Sequence, residues 1–438
     1  ILDILGGYHF ERIFPRDERN EARTREAGLH LWYKVKFDEN ADLHEAARKL
    51  SLLGEISAVQ GNHRIKRAYD ASKLKARMST AAAHIAATRA AEDDIDFAGL
   101  GLPFEADPAL KYQWHYHNTG DYSFKANNPS AAVIAGCDVN CTEAWKMSTG
   151  DPSIIVAVLD EGVAYNHPDL EANMWRNEGE ALNVGRDADG NGYTDDLYGY
   201  NFVEDTGLIT WTGEGDTGHG THVAGTIAAV NGNGRGVCGI AGGNGTPGSG
   251  VKIMSCEILG KSESGSSGAG LSGQIRAFKY AADNGAVICQ NSWGYTAGII
   301  SETDWKNGTY SALTRAIQYF NKYAGLDENG NQTGPMAGGI VVFAAGNDAS
   351  NENCYPAADA NVVSVGALSY LGTPSYYTNY GKWVSMSAPG GDLMLSNAYG
   401  GVYSTSVAAD GGSAYEGIQG TSMACPHVSG ACALAISY

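Results

Sequence analysis

The chain has 438 residues, 43% of them hydrophobic, which is ample for a packed core and suits one large α/β domain with an appendage, or two to three domains. Its 30 basic and 49 acidic side chains leave a formal charge of −19, which argues against nucleic acid or an anionic membrane as main partner and suits a protein that tolerates bound cations. No apolar run reaches the roughly 18 residues of a membrane-spanning helix, and the start, Ile1 to Gly7, lacks an initiating Met and a basic leader, so it reads as a processed or engineered end.

In chain order, the first pattern is Leu29-His-Leu-Trp-Tyr-Lys-Val-Lys-Phe37, whose alternation predicts a half-buried strand. Asp42 with Glu45 three residues on resembles a capping box, and Leu43, Ala46, Ala47, Leu50 and Leu53 follow at helical spacing. Ile56, Ala58 and Gln60 resume an extended pattern before the basic residues Arg64, Lys66 and Arg67. This strand–helix–strand unit predicts a small α+β domain over residues 8–70. Residues 71–108 are Ala-rich and charged, then broken by Gly99, Gly101 and Pro103; they read as a linker where proteolysis concentrates.

The remainder, 109–438, changes character. Short apolar runs at 154–159, 251–259, 286–290, 339–345 and 361–365 read as strands. Helical patterns at 221–230, 272–284 and 309–324 lie between them, the last with Tyr310, Leu313, Ile317 and Phe320 on one stripe. Strands alternating with helices predict an α/β fold, a parallel sheet with helices on both faces, and an active site at the carboxyl ends of the strands. Of the eight cysteines, Cys137 and Cys141 are close enough for a small loop disulfide, whereas Cys256 and Cys289 lie in apolar runs and read as buried thiols.

Four local motifs carry chemistry. Val156-Ala-Val-Leu-Asp160-Glu-Gly162 is an apolar strand ending in a carboxylate. Gly218-His219-Gly-Thr-His222-Val-Ala-Gly225 is a glycine turn opening a helix, and Gly420-Thr-Ser422-Met-Ala-Cys-Pro-His427 places a serine at the start of another. Val341-Val-Phe-Ala344-Ala345-Gly346-Asn347 is a buried strand ending in an amide. A serine hydroxyl is a weak nucleophile until an imidazole takes its proton, and the imidazole needs a carboxylate to fix its tautomer and offset its charge. Asp160, His219 and Ser422 supply those three types. Asn347 and the Ser422 N–H supply donors for an oxyanion. Taken singly, each residue reads as a cap or turn; together and in this order they do not. His222 and His427, inside helices beyond the catalytic positions, read as structural.

With these flanking residues, the order Asp, His, Ser resembles the subtilisin-like serine proteases, or subtilases, over roughly 109–438. The resemblance implies a serine endopeptidase made as a zymogen, with 8–70 as pro-domain seated in the groove until a cut within 71–108. It implies a substrate groove edged by Ser292, Trp293 and Gly294, with 265–271 opposite. Ala344, Ala345 and Gly346 would wall the pocket for the residue before the scissile bond, and Cys354 would stand near its floor where relatives often have glycine, making it shallower. A cis Tyr355–Pro356 bond, and secretion or a cell-envelope location, are implied in the same way. Residues 294–298 contain no acid, which disfavours strict dibasic specificity. Relatives continue beyond the helix that Ser422 opens, so the chain reads as shortened after Tyr438. Protonation of His219 is expected to remove activity as pH falls through a range near ~6.5. Two other readings remain: a transpeptidase or peptide cyclase of the same fold, and a non-catalytic binding protein. An α/β-hydrolase esterase is disfavoured because the Ser422 motif lacks that family's second glycine.

Calcium is expected at Asp187-Ala-Asp189-Gly-Asn191-Gly-Tyr193-Thr-Asp195-Asp196, with oxygen ligands at alternate positions, Tyr193 through its carbonyl. Tyr198 stands where an EF-hand has its bidentate glutamate, leaving Asp196 as substitute. The resemblance suggests a second calcium site from Asp169, Asn231 and Asn233, in a loop where Arg235 competes with the ion.

Overall fold

A computed structural model describes residues 1–38, 40–62, 104, 106–120, 134–213, 215–260, 268–306, 308, 310–395 and 400–438. The expected linker and cut site at 71–108 lie almost wholly outside the described residues, as do residues 265–267 of the expected groove edge.

Near the N-terminus, β1 (Tyr8–Arg12) pairs antiparallel with β2 (Tyr33–Phe37). Helix α1 (Leu43–Leu50) follows, and Asp42 caps it by accepting from the Glu45 N–H at 3.0 Å, as the motif predicts. Two expectations need correction. Residues Leu29–Leu31 form a 3₁₀ turn, because Gly28 enters it at φ 71° and Leu29 is withdrawn completely into the main core. Residues 56–60 form no strand; Ile56 and Val59 pack on Ala46 and Leu50, while the Gln60 and Asn62 amides reach other elements.

The main body is a seven-stranded sheet built from β3 (Ile155–Asp160), β4 (Gly199–Asn201), β5 (Lys252–Glu257), β6 (Ile288–Asn291), β7 (Ile340–Ala344), β8 (Val363–Leu368) and β9 (Met386–Pro389). Their order across the sheet is β4-β5-β3-β6-β7-β8-β9, and every pairing is parallel. A parallel sheet must be covered on both faces. In β3, Val156 and Val158 join one buried cluster, Ala157 and Leu159 the other. Helix α2 (His219–Ala228) and helix α5 (Thr421–Ser437) fill the first side. Helices α3 (Leu271–Asp283) and α4 (Ser311–Tyr323) fill the second, with Leu313, Ile317 and Phe320 all buried. A hairpin, β10 (Val402–Val407) with β11 (Ser413–Ile418), packs on α2.

Residues 13–32 seat on the α3–α4 side. Phe14 and Leu29 are both fully buried there, each stabilising the contact by roughly 1.5–3 kcal/mol. Arg23 reaches Asp283 Oδ1 at 2.7 Å and the Leu326 carbonyl at 2.8 Å. The eight cysteines are all free thiols: Cys137 lies 3.4 Å from the Ser369 carbonyl and Cys141 is buried, so the loop disulfide does not form.

Candidate active site

Strand β3 ends in a residue whose neighbours on both sides, β5 and β6, continue the sheet, so Asp160 is anchored at the carboxyl edge in its middle. It is completely buried, and its Oδ1 accepts from His219 Nδ1 at 2.7 Å and from the Glu161 N–H at 2.7 Å. A carboxylate only accepts, so Nδ1 carries the proton and Nε2 is left as the basic nitrogen. Burial pushes the Asp160 carboxyl up; the His219 contact works against it.

Ser422 sits in the first turn of α5. This helix is buried from Thr421 through Gly430 and contains Pro426, which has no N–H to give to the carbonyl four residues back. That carbonyl is Ser422's own, and the Ser292 hydroxyl satisfies it at 2.8 Å. The Ser422 hydroxyl in turn donates to the Ser292 carbonyl at 3.3 Å. The Ser422 turn is thereby fastened to the end of β6.

Asn347 follows the end of β7. Its Oδ1 accepts from the Thr421 N–H and hydroxyl, both at 2.9 Å, which fixes the amide and leaves Nδ2 facing Gly420. The Thr421 hydroxyl also accepts from the Gly346 N–H at 3.1 Å, tying the two turns together. His219 is held at the end of β3 through Asp160, and Ser422 is held at the end of the neighbouring β6 through Ser292, so both turns lie at one edge of the sheet.

The family model described as "Subtilase family" matches residues 151–438, about two thirds of the sequence. This chain belongs to the subtilase family. It is 30% identical over 295 residues to the thermophilic serine proteinase of Bacillus sp. (strain AK1), covering 67% of this chain and 55% of that protein. It is 30% identical over 307 residues to the extracellular protease of Xanthomonas campestris pv. campestris, covering 68% and 46%. A solved protease of Pseudoalteromonas arctica superposes with a TM-score of 0.51 at 30% identity, covering 75% of this chain and 86% of that one. The chain spans about half the length of the two curated relatives.

In this subtilase the expected groove residues divide into backbone and side chain. Trp293 is buried against Phe343, with ring centroids 5.1 Å apart, and Ser292 is spent on α5, so both side chains are engaged within the protein. Ala344 and Ala345 are buried, and Gly346 lies at φ 98°. A Cβ at Gly346 would meet Asn379 Nδ2 at 2.5 Å and Cys354 Sγ at 2.9 Å, and one at Gly294 would meet Cys354 Sγ at 3.8 Å. Cys354 thus lies between the two segments, and burial pushes its thiol up to about 12. The Tyr355–Pro356 bond is cis. Asn379, which drew no attention in the sequence, organises this turn by donating to the Ala345 carbonyl and accepting from Asp348 and Ser350 N–H groups.

Among the expected calcium residues, the structure gathers Asp187 and Asp189 with Glu180, their carboxylate oxygens within 4.8 Å of one another. Glu180 is 8% exposed and its Oε2 is buried without a hydrogen-bond donor, as a cation ligand would be. Asp195 and Asp196 are engaged elsewhere. Asp195 accepts from the Val184 and Gly185 N–H groups, and Asp196 from Tyr280, Asn191 and Asn177. Asn191 and Tyr193 hold the loop, the Tyr193 ring buried against Tyr200 and Tyr280. At the second expected site the side chains make hydrogen bonds within the protein. Asp169 accepts from the Asn233 amide at 2.6 Å and the Val237 N–H at 2.9 Å, and the Asn231 amide is spent on Gly239 and Gly243. Asp107, unnoticed in the sequence, grips the same loop through the Gly232 and Gly234 N–H groups.

His222 and His427 are structural. His222 Nε2 lies 3.1 Å from the Val402 carbonyl, and burial holds its imidazole down to about 3. His427 donates to the Met423 carbonyl and meets His115 Nδ1 at 2.8 Å, with burial lowering it to about 4.

Proposed function

We propose that this subtilase is a serine endopeptidase, with Ser422 as nucleophile, His219 as base and then acid, Asp160 as the group that orients the imidazole, and Asn347 with the Ser422 N–H as oxyanion donors. The observation that carries the reading is the buried 2.7 Å contact between Asp160 and His219, at the same sheet edge as a serine turn whose adjacent amide is already immobilised. On attack, the Ser422 hydroxyl leaves the long bond to Ser292 and gives its proton to His219 Nε2. The charge on the former carbonyl oxygen is met by donors that need no reorganisation. The protonated imidazole then delivers the proton to the leaving amine, and water repeats the sequence on the acyl-enzyme.

Several finer features belong to the same reading. Extended peptide lies against the main chain of 292–294, an arrangement that adds hydrogen bonds irrespective of sequence. Cys354 fills the end of the pocket for the residue before the scissile bond and favours small side chains there. Residues 8–70 act as pro-domain over the catalytic unit at 109–438, with the groove closed until a cut within 71–108. In support, Arg23 pairs with Asp283 and Asn62 Oδ1 accepts from the Ser272 N–H at the start of α3. Calcium held by Glu180, Asp187 and Asp189 supplies a structural cross-link of the loop at 180–196. Secretion accords with the extracellular relative. Among the described residues, no helix is long and apolar enough to cross a membrane.

The test joins two measurements on one sample. A fluorophosphonate should label the parent protein, and N-terminal sequencing after incubation should locate a new end within 71–108. Ser422→Ala should abolish both. Labelling that persists in the purified variant rejects the assignment.

A further inference from the structure

Helix α2 begins at the residue that must accept the nucleophile's proton, and its own cap position cannot hold it. Gly218 has no side chain and lies at φ 79°. First-turn N–H groups nevertheless need acceptors, and a negative charge is favoured there by the helix dipole. Glu161 provides both from the end of β3. Its Oε2 accepts from the Thr217 N–H at 2.7 Å and from the His219 N–H at 3.2 Å, and the Thr217 hydroxyl donates to its Oε1 at 3.0 Å. The side chain is completely buried. Its backbone serves the other partner, since the Glu161 N–H donates to Asp160 Oδ1. The approach is close: a Cβ at Gly220 would fall 2.2 Å from the Glu161 carbonyl oxygen.

We infer that Glu161 is a positioning residue, whose carboxylate fixes the start of α2 so that the His219 imidazole lies between Asp160 and the Ser422 hydroxyl. One residue therefore holds the orienting acid through its main chain and the base through its side chain. Glu161 touches neither the peptide nor the reacting atoms; it acts through His219. The inference rests on His219 being the base.

Steady-state kinetics on a peptide substrate, with melting curves to establish folding, test it in the full chain, parent and variants treated alike. Glu161→Ala should lower kcat by about 10²-fold with KM within about twofold, the scale of loss that a 1 Å misplacement of a catalytic group produces. Glu161→Gln keeps the shape and one acceptor oxygen, and should recover most of that loss. If the alanine variant does not fold, Glu161→Asp, with its carboxylate drawn back by one methylene, replaces it and should lose about tenfold in kcat alone. Parental kcat in a folded Ala or Asp variant overturns the inference, as does a defect confined to KM or a Gln variant no better than Ala. His219→Ala is run alongside. Activity surviving in that variant defeats the underlying reading of the base, whereas a normal Glu161 series defeats only the positioning role.

Discussion

Asn347 spends its carbonyl oxygen twice on Thr421, which leaves its amide hydrogens as the part available to an oxyanion. Asn347→Ala should therefore lower kcat by about 10²–10³-fold with little change in KM, the usual cost of removing one oxyanion donor. A loss appearing mainly in KM would place Asn347 in ground-state binding instead. The residues easiest to read from sequence were those whose chemistry and neighbours are both local: Asp160 at the end of an apolar strand, His219 after a glycine, Ser422 opening a helix. The hydrogen-bonding tasks of Thr421 and Ser292, and any part for Asn379 and Glu180, were not legible, because each is defined by a partner that folding brings from far away. Ser292 is the plainest case, since its role comes from a missing N–H at Pro426. Glu161 stood within a recognised motif, yet only its contact with Thr217 and His219 gives it a task.

Between single residues and the whole fold stand the elements that hold α2 in place. The β10–β11 hairpin covers it, and His222 meets the carbonyls of Val402 and Glu416. Glu416 bonds the Ser406 hydroxyl, and burial pushes its carboxyl up to about 7. A carboxyl raised on folding contributes stability below its unfolded value, near 4.5, and loses it as pH rises through about 7. Glu416→Gln, neutral throughout, should therefore melt higher than its parent at pH 8.5, with the gain shrinking between pH 7 and 4.5. Measured in a Ser422→Ala background to prevent self-digestion, a gain that grows on acidification would reverse the sign and refute the account. The main strands were legible at this scale because hydrophobic runs flanked by turns suit a sheet covered on both faces. The stretch 29–37 is a strand only from Tyr33 on, because alternation cannot reveal that Leu29 is claimed by a different core. The β10–β11 hairpin, with Ser404, Thr405 and Ser406 buried among its strands, had no apolar run to announce it.

At the scale of the molecule, the N-terminal segment, the Glu180 loop and the catalytic body form one contact system. Phe14 and Leu29 lie in the main core, and Arg19 stands 3.6 Å from Asp189 on the proposed calcium loop. A cation bound only by the folded protein stabilises it by about 2.7 kcal/mol at a hundredfold excess over its dissociation constant. Calcium should raise the melting temperature of the Ser422→Ala protein by several degrees and EDTA should remove the gain, while Glu180→Ala should melt at the same temperature with or without calcium. Identical melting of the Ser422→Ala protein in calcium and EDTA would dismiss the site.

Helix α5 contacts β6, β7, β8 and β9 as well as α2, and it follows all of them along the chain. Translation therefore delivers Ser422 after every strand of the sheet that receives it. On the proposed assignment, a polypeptide still emerging from the ribosome has Asp160 and His219 but no serine to activate, and cannot digest itself or its neighbours before its own scaffold has been made.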